Sequence, residues 1–588
     1  MIKIIRSEQD HTKMNVEFYS QHNFFSIKNI VQSFACYNFN KTTKSYNMVI
    51  DDADALIDKL AKSFTDEIIQ VDMNVYDSFK LYQEKKQQLF DLREKLDSVD
   101  CGIELQKPYK LLPFQHIGAE FLYQVQYGIL ADKVGLGKTI QSLAAAIKMH
   151  NEGKSEKCFV IVPSSLKSKW HDDILKFFGI ESYLLEGHIS KRIEMYNEWM
   201  KDDTYFLIVS DDMFKRDWDN YMSGNVLRKF GMICDEIQRV KSFSTMRSHK
   251  TRELAAHKFC TFRFGLSATY IETGLENLFG EMLIIDDRIF GNSYMRFANK
   301  YLKLDIYGRV LKYENVDDIT NKMKTVAIRR HKEQVQSQLE AFLPKVNENT
   351  LWVELTKEQK KSYNEILERV IDNIHNMEKA NKVSMATALS ELMFLRQVSI
   401  ATGLMGYNPS SSVKMDTLKE IIPDIVAENK VLIFCHFVGF IDIMEEEFNK
   451  MGIKCLAVSG NRKDCAKSSD VKHIIDRFTN ESDIRILLGS DKLKEGHDIV
   501  AASYIINTDI LWNPASMIQR AGRIDRLNQT AKRIFVINIW SNSGIEAEMY
   551  KILYKREQLA EKVMDDGNIE KRINRVSFTD IKKMLKYV

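Results

Sequence analysis

Short, continuous apolar runs recur along the chain, separated by stretches with helical periodicity. In the first half they are Gly128–Ala131, Cys158–Pro163, Tyr205–Ser210, Gly231–Cys234 and Phe264–Thr269. In the second half they are Val431–Cys435, Lys454–Val458, Ile484–Leu488, Tyr504–Ile506 and Ile534–Ile537. Unbroken apolar strands alternating with helices predict parallel sheets covered on both faces, an α/β architecture in two successive units. Before the first unit, apolar positions alternate at Phe34, Cys36, Tyr46, Met48 and Ile50 around the polar centre Asn40–Lys44, which predicts a β-hairpin. Asp51 or Asp52 is expected to cap a helix carrying Ala53, Leu56, Ile57, Leu60, Ala61 and Phe64 on one face, and a second helical run holds Phe79, Tyr82, Leu89 and Leu96. Thr356 and Gln359 form a capping-box pattern ahead of a long amphipathic helix through Tyr363, Ile366, Val370 and Ile374.

The expected organisation is a small α+β unit over 1–105, either a packing or scaffold domain or an accessory domain with Lys41 and Lys44 at its hairpin tip as candidate DNA contacts. An α/β lobe over 106–345 follows, then a second over 346–545 with a helical protrusion at about 356–410, and a C-terminal helical brace over 546–588. At 588 residues the chain is too long for one core. Composition adds little: 84 basic and 81 acidic residues give a net charge of +3, so any nucleic-acid track must be local. Eight widely spaced cysteines without a CxxC pair read as reduced core thiols. No apolar run reaches membrane-spanning length, and the opening MIKIIRSEQD turns polar too soon for a secretory signal, so a cytoplasmic protein without a membrane partner is expected.

The chemistry begins at Gly128–Gln141, GILADKVGLGKTIQ. A strand gives way to a turn at Gly135, Leu136 and Gly137, then to Lys138, Thr139 and a helix. That order predicts a phosphate-binding loop in which backbone N–H groups cradle phosphate, Lys138 meets the outer phosphates and Thr139 ligates magnesium. Asp132 stands where the first glycine of the usual pattern would be. Gln115, at a helix start upstream, can bond an adenine edge. The run Gly231–Cys234 ends in Asp235 and Glu236, a pair able to hold magnesium and to activate water. Ser164 and Ser165 follow a strand end suited to phosphate contacts, and FGLSAT supplies Ser267 and Thr269 as a relay. In QRAGRIDR, Arg523 and Arg526 are three apart, which predicts one helix face and a pair of arginine fingers reaching the nucleotide from the second unit.

Taken in order, LLPFQ, ADKVGLGKTIQ, VPSSLKSKW, DEIQRVKS, GLSATYIETGLENLFGEM, IRRHKEQV, KVLIFCHF, EGHDI, DILWNP and QRAGRIDRLNQ resemble the SWI/SNF-type, helicase-like ATPases of superfamily two, from Lys110 to about Gln529. The resemblance implies two tandem RecA-like lobes with helical protrusions, ATP and Mg2+ in the cleft between them, and translocation along double-stranded DNA. It also implies roles for Gly496 and Asp498 at the cleft, for Ser267, Thr269 and Gln519 in coupling, and for Ser164, Ser165, Lys167, Ser210, Ser459 and Ser490 on the DNA backbone.

Departures from the family pattern are Lys133, Ile237–Gln238 and EGHDI. The N-terminal stretch from Tyr37 resembles the HARP-type module of annealing helicases, whereas AGRIDRLNQ resembles the bacterial RNA-polymerase recycling ATPase. The expected function is ATP-dependent remodelling of branched DNA or displacement of a DNA-bound protein such as RNA polymerase, in a bacterial or bacteriophage-infected cell. The alternative is a nucleotide-dependent binding switch with little turnover.

Overall fold

The computed structural model describes residues 1–588 apart from 9–11, 20–22, 35–36, 66, 95–98, 268–274, 305–309, 336–337, 339–343, 380–384, 408, 463–464, 466–467, 494–497, 513, 527–528, 553–584 and 586–588. Cys36, Leu96, Thr269, Gly496 and most of the expected C-terminal brace therefore lie outside the described residues.

Among the described residues the N-terminal unit is a five-stranded sheet in the spatial order Tyr37–Asn40, Ser45–Val49, Lys13–Phe18, Ile2–Arg6 and Ile69–Val71. The hairpin is there, with Phe39 opposite Tyr46 and Tyr37 opposite Met48. Ile2, Ile4, Met14, Val16, Tyr46 and Met48 pack with Ile27, Val31, Leu56 and Leu60 from two covering helices. Two expectations change. Neither aspartate caps the helix Ala53–Ser63, because a short 3-10 turn, Ile50–Asp52, precedes it and no side-chain cap bond forms. Asp51 instead accepts from Gln83 and pairs with Lys86 at 3.7 Å. Ala61 is exposed, so the buried face is narrower than the spacing suggested.

The first lobe is a seven-stranded sheet in the order Ala327–Ile328, Tyr127–Leu130, Cys260–Leu266, Phe230–Cys234, Lys157–Val162, Phe206–Ser210 and Ser182–Leu184, parallel throughout. Its central strands are buried along their whole length, which explains why they read as apolar runs. Helices cover both faces and build two cores. The second lobe has six parallel strands in the order Lys345–Val353, Arg533–Ser541, Tyr504–Asn507, Val431–Phe434, Ile486–Gly489 and Cys455–Val458. Helices Lys357–Lys379 and Met385–Ile400 form the protrusion around Tyr363, Ile366, Val370, Leu392 and Leu395. Its first helix opens on the predicted capping box: the Gln359 amide donates to Thr356 Oγ1 at 3.1 Å and the Thr356 amide to Gln359 Oε1 at 3.4 Å. The α/β reading with two parallel-sheet lobes and a small N-terminal α+β unit therefore holds. No described helix is long and apolar enough to cross a membrane.

Candidate nucleotide cleft

The loop after Tyr127–Leu130 turns on two glycines in the left-handed region, Gly135 at φ 90° and Gly137 at φ 72°, and the helix Lys138–Asn151 starts directly behind them. Gly135 is also sterically required, whereas a side chain at Gly137 would displace the end of Gln115. A Cβ on Gly137 would lie 2.5 Å from Gln115 Nε2, and one on Gly135 would lie 2.7 Å from the Asp525 carbonyl. Leu136 plugs the loop into a small cluster with Phe114 and Val335. Lys138 Nζ donates to the Asp132 carbonyl at 2.8 Å, and burial lowers its pKa although Glu236, Asp132 and Asp235 oppose the shift.

Asp132 and Gln115 are turned into the protein. The Asp132 carboxylate is fully buried and accepts from Arg330 at 2.5 and 3.0 Å and from Gln141 at 3.2 Å. Gln115 accepts from the Leu112 amide at 3.0 Å and donates to the Leu136 carbonyl at 3.3 Å, so it braces the turn.

Asp235 and Glu236 follow the buried strand Phe230–Cys234, and the Asp235 amide bonds to Ile161 O of the neighbouring strand segment. Burial raises the Asp235 pKa, against hydrogen bonds from Trp170 Nε1 at 3.0 Å and the Glu236 amide at 2.9 Å and the charge of Lys138. Glu236 sits at φ 51°, and its carboxylate accepts a hydrogen bond from Gln238 Nε2. A buried ammonium held below its usual pKa beside a carboxylate held above it is a donor set that a magnesium-bound polyphosphate would relieve from both sides, so these residues fit such a ligand. Ser267 is buried beside the same strands, its amide donating to Leu130 O at 3.1 Å.

The second lobe closes the cleft. Asp498 pairs with Arg526 at 3.1 Å and, across the cleft, with Lys169 at 3.2 Å. Burial alone would raise the Asp498 pKa, but Arg526, Lys169 and Arg523 outweigh it and hold the carboxyl well below the usual range. Lys332 and Asp525 form a second cross-lobe ion pair, and Lys472 reaches Asp172 at 2.5 Å in a third. The predicted shared helix face for Arg523 and Arg526 is not observed. Helix Pro514–Ala521 stops before Gly522, which packs against Val134, and both arginines lie in the turns that follow. Arg523 is buried and donates to the carbonyl of Gln519, itself buried on that helix.

A family model for the SNF2-related domain matches residues 28–404, and one for the helicase conserved C-terminal domain matches 413–528. The chain belongs to the SNF2-related family. A Mycoplasma pneumoniae protein described as an uncharacterized ATP-dependent helicase is 25% identical over 476 residues, covering 79% of this chain and 43% of the relative. The mouse chromodomain-helicase-DNA-binding protein 1-like is 24% identical over 485 residues, covering 78% and 50%. The chain thus spans half or less of the length of these relatives. The Sulfolobus solfataricus SWI2/SNF2 ATPase core solved in complex with double-stranded DNA is 23% identical, with 82% of this chain and 99% of that one covered and a TM-score of 0.37.

In this SNF2-related chain the six residues expected on the DNA backbone are placed unequally. Ser164 is exposed and Ser165 half-buried at the end of Lys157–Val162. Lys167 is buried, its ammonium donating to Glu186 at 2.7 Å and to the Leu185 carbonyl at 3.2 Å. Ser210 caps the helix Asp211–Asp217 by accepting from the Met213 amide. Ser459 and Ser490 are also buried, and Ser490 accepts from the Lys492 amide. Four of the six are therefore turned inward in this arrangement. Sequence pattern gave no role at the site to Trp170, Lys169, Arg330, Lys332 or Asp525, although VPSSLKSKW, IRRHKEQV and QRAGRIDR contain them.

Proposed function

We propose that the chain is an ATP hydrolase whose lobes close on the nucleotide and which uses that cycle to move along double-stranded DNA, remodelling branched DNA or displacing a DNA-bound protein. The observation that carries this reading is the convergence of three sets of groups on one cleft: the glycine turn with Lys138, the Asp235–Glu236 pair, and Asp498 with Arg526 from the second lobe. Loop amides and the helix N-terminus hold phosphate oxygens, and Lys138 adds a point charge. Glu236 accepts the proton of the attacking water, while Arg523 and Arg526 face the phosphate from the second lobe. Magnesium, held by Thr139 and Asp235, would supply positive charge to the phosphate oxygens. Ser164 and Ser165 contact the DNA backbone, and the N-terminal unit, with Lys41 and Lys44 exposed at its hairpin, senses branches. Family membership and relatives named as helicases support the reading.

The test is the steady-state ATPase rate without nucleic acid and with single strands, plain duplex and forked duplex, with Lys138→Ala as control. Duplex should stimulate strongly, the effect should weaken steeply with salt, and Lys138→Ala should abolish turnover. No stimulation by any DNA, or full turnover by the variant, overturns the reading. A nucleotide-dependent binding switch is the second reading, favoured by the Gln238 amide on the Glu236 carboxylate. Its mark is tight nucleotide binding with slow hydrolysis indifferent to DNA.

A further inference from the structure

The last strand of the first lobe leads into a segment that packs on the phosphate loop at both ends and touches the second lobe between them. Ala327 and Ile328 pair in parallel with Ile129 and Leu130, the strand that enters the loop. The ladder continues past both strands: the Ala131 amide donates to Ile328 O at 2.8 Å and the Lys133 amide to Arg330 O at 3.1 Å. The Arg330 side chain then grips the floor of the loop from below. It forks onto Asp132, donates to Gln141 Oε1 at 2.7 Å and bonds to the Phe114 carbonyl, with both charged groups buried. One guanidinium thus ties together the loop, the helix behind it and the helix start that carries Gln115. Two residues on, Lys332 leaves the lobe and pairs with Asp525. Its Nζ stands 3.3 Å from the point where a Cβ on Gly135 would be, and the Asp525 carbonyl is 2.7 Å from that same point. Val335 ends the segment, packed on Leu136 and Phe114.

We infer that residues 327–335 are a strap that transmits lobe closure to the phosphate loop, with Lys332 and Arg330 as its two positioning residues. Neither acts on the nucleotide directly. Lys332 engages Asp525 only when the lobes are together, and a pull on Lys332 is carried through two residues to Arg330, whose planar fork leaves the Asp132 carboxylate little freedom. The other charges beside Lys332 are Arg526 and Glu333, of opposite sign to each other, so Asp525 is the partner that decides whether the strap is held. The inference rests on the proposed nucleotide cleft, but lobe closure can be read without hydrolysis.

The experiment uses the full chain with Lys332→Glu, Asp525→Lys and the exchanged pair carrying both changes, plus Arg330→Lys as a milder probe of the fork. Small-angle scattering with and without the non-hydrolysable analogue AMP-PNP and magnesium reads closure, fluorescent ADP reads affinity, and turnover gives kcat and KM. Each single charge reversal should lose the compaction on AMP-PNP and lower kcat at least tenfold, with ADP affinity within about threefold of the parent. The exchanged pair should recover both. Arg330→Lys should weaken ADP binding at least fivefold while Lys332→Glu does not. Recovery absent from the exchanged pair, or closure intact in both single variants, overturns the strap. If the parent compacts on AMP-PNP yet hydrolyses nothing, the ATPase reading fails while the strap is still judged by scattering.

Discussion

Trp170→Phe isolates one hydrogen bond at the centre of the cleft. The indole is almost wholly buried and donates Nε1–H to Asp235 Oδ2 at 3.0 Å, the largest of the contacts that offset the burial of that carboxylate. Phenylalanine keeps most of the ring and removes the donor. A hydrogen bond to a charged group contributes about 1.5–3 kcal/mol, and the lost ring volume costs about 1–2 kcal/mol of stability. If Asp235 must be ionised and fixed to work, 1.5–3 kcal/mol at roughly 1.4 kcal/mol per decade lowers kcat by about 10- to 100-fold. The magnesium concentration giving half-maximal turnover should rise, whereas binding of fluorescent ADP without magnesium should stay within about threefold of the parent. Steady-state kinetics over a magnesium series, paired with a melting curve to separate loss of fold from loss of function, makes the measurement. Turnover within twofold of the parent at saturating magnesium, with the fold intact, would refute the positioning role.

Further outcomes follow from other contacts. Glu236→Gln should retain nucleotide binding and lose on the order of 100-fold or more in single-turnover hydrolysis if Glu236 is the general base proposed above. Glu546→Gln should leave the fully buried Lys414, now held by both carboxylate oxygens at 2.7 and 2.8 Å and by the Thr508 carbonyl at 2.6 Å, without its counter-charge; at about 3–5 kcal/mol the melting point should fall by on the order of 10 °C. Burial pushes the Cys435 and Cys455 thiols up to about 12, so mass-mapped alkylation at pH 8 should leave both unmodified until the chain is denatured. The Asp498 carboxyl is lower in the folded chain than in the unfolded one, so its stabilisation is complete above about pH 4 and is lost as pH falls further. Asp498→Asn should therefore lower stability at pH 7, with the difference closing in denaturation curves taken below about pH 4.

The parts of this molecule that were legible are those whose signal is local. A strand buried on both faces is apolar along nearly its whole length, so Lys157–Val162, Phe206–Ser210 and Phe230–Cys234, polar only at Lys157 and Ser210, announce themselves. Gly135, Gly137 and Lys138 lie within four residues, and the acid pair is adjacent in sequence. Strands Ile2–Arg6 and Lys13–Phe18 escaped because each presents one buried and one half-buried face over only five or six residues, with polar and charged side chains between the apolar ones. Lys345–Val353 escaped for a related reason. It is an edge strand with exposed Val346, Leu351 and Trp352 among Asn and Glu, and its one strand neighbour among the described residues is Arg533–Ser541.

What holds the cleft in shape was illegible for a different reason. Asp132 and Arg330 are 198 residues apart, Trp170 and Asp235 are 65 apart, and Lys332 and Asp525 are 193 apart. No periodicity links such positions; only the stacking of parallel strands brings their ends to one edge of the sheet. The same geometry corrected the arginines. Spacing of three implies a common face only while a helix continues, and here Gly522 packs so closely on Val134 that the chain leaves the helix at Ala521. Asp525 and Arg526 then fall in a turn at the cleft, one directed to Lys332 and the other to Asp498. Two adjacent residues of opposite charge thereby clamp the first lobe at two points, one directly and one through the carboxylate shared with Lys169.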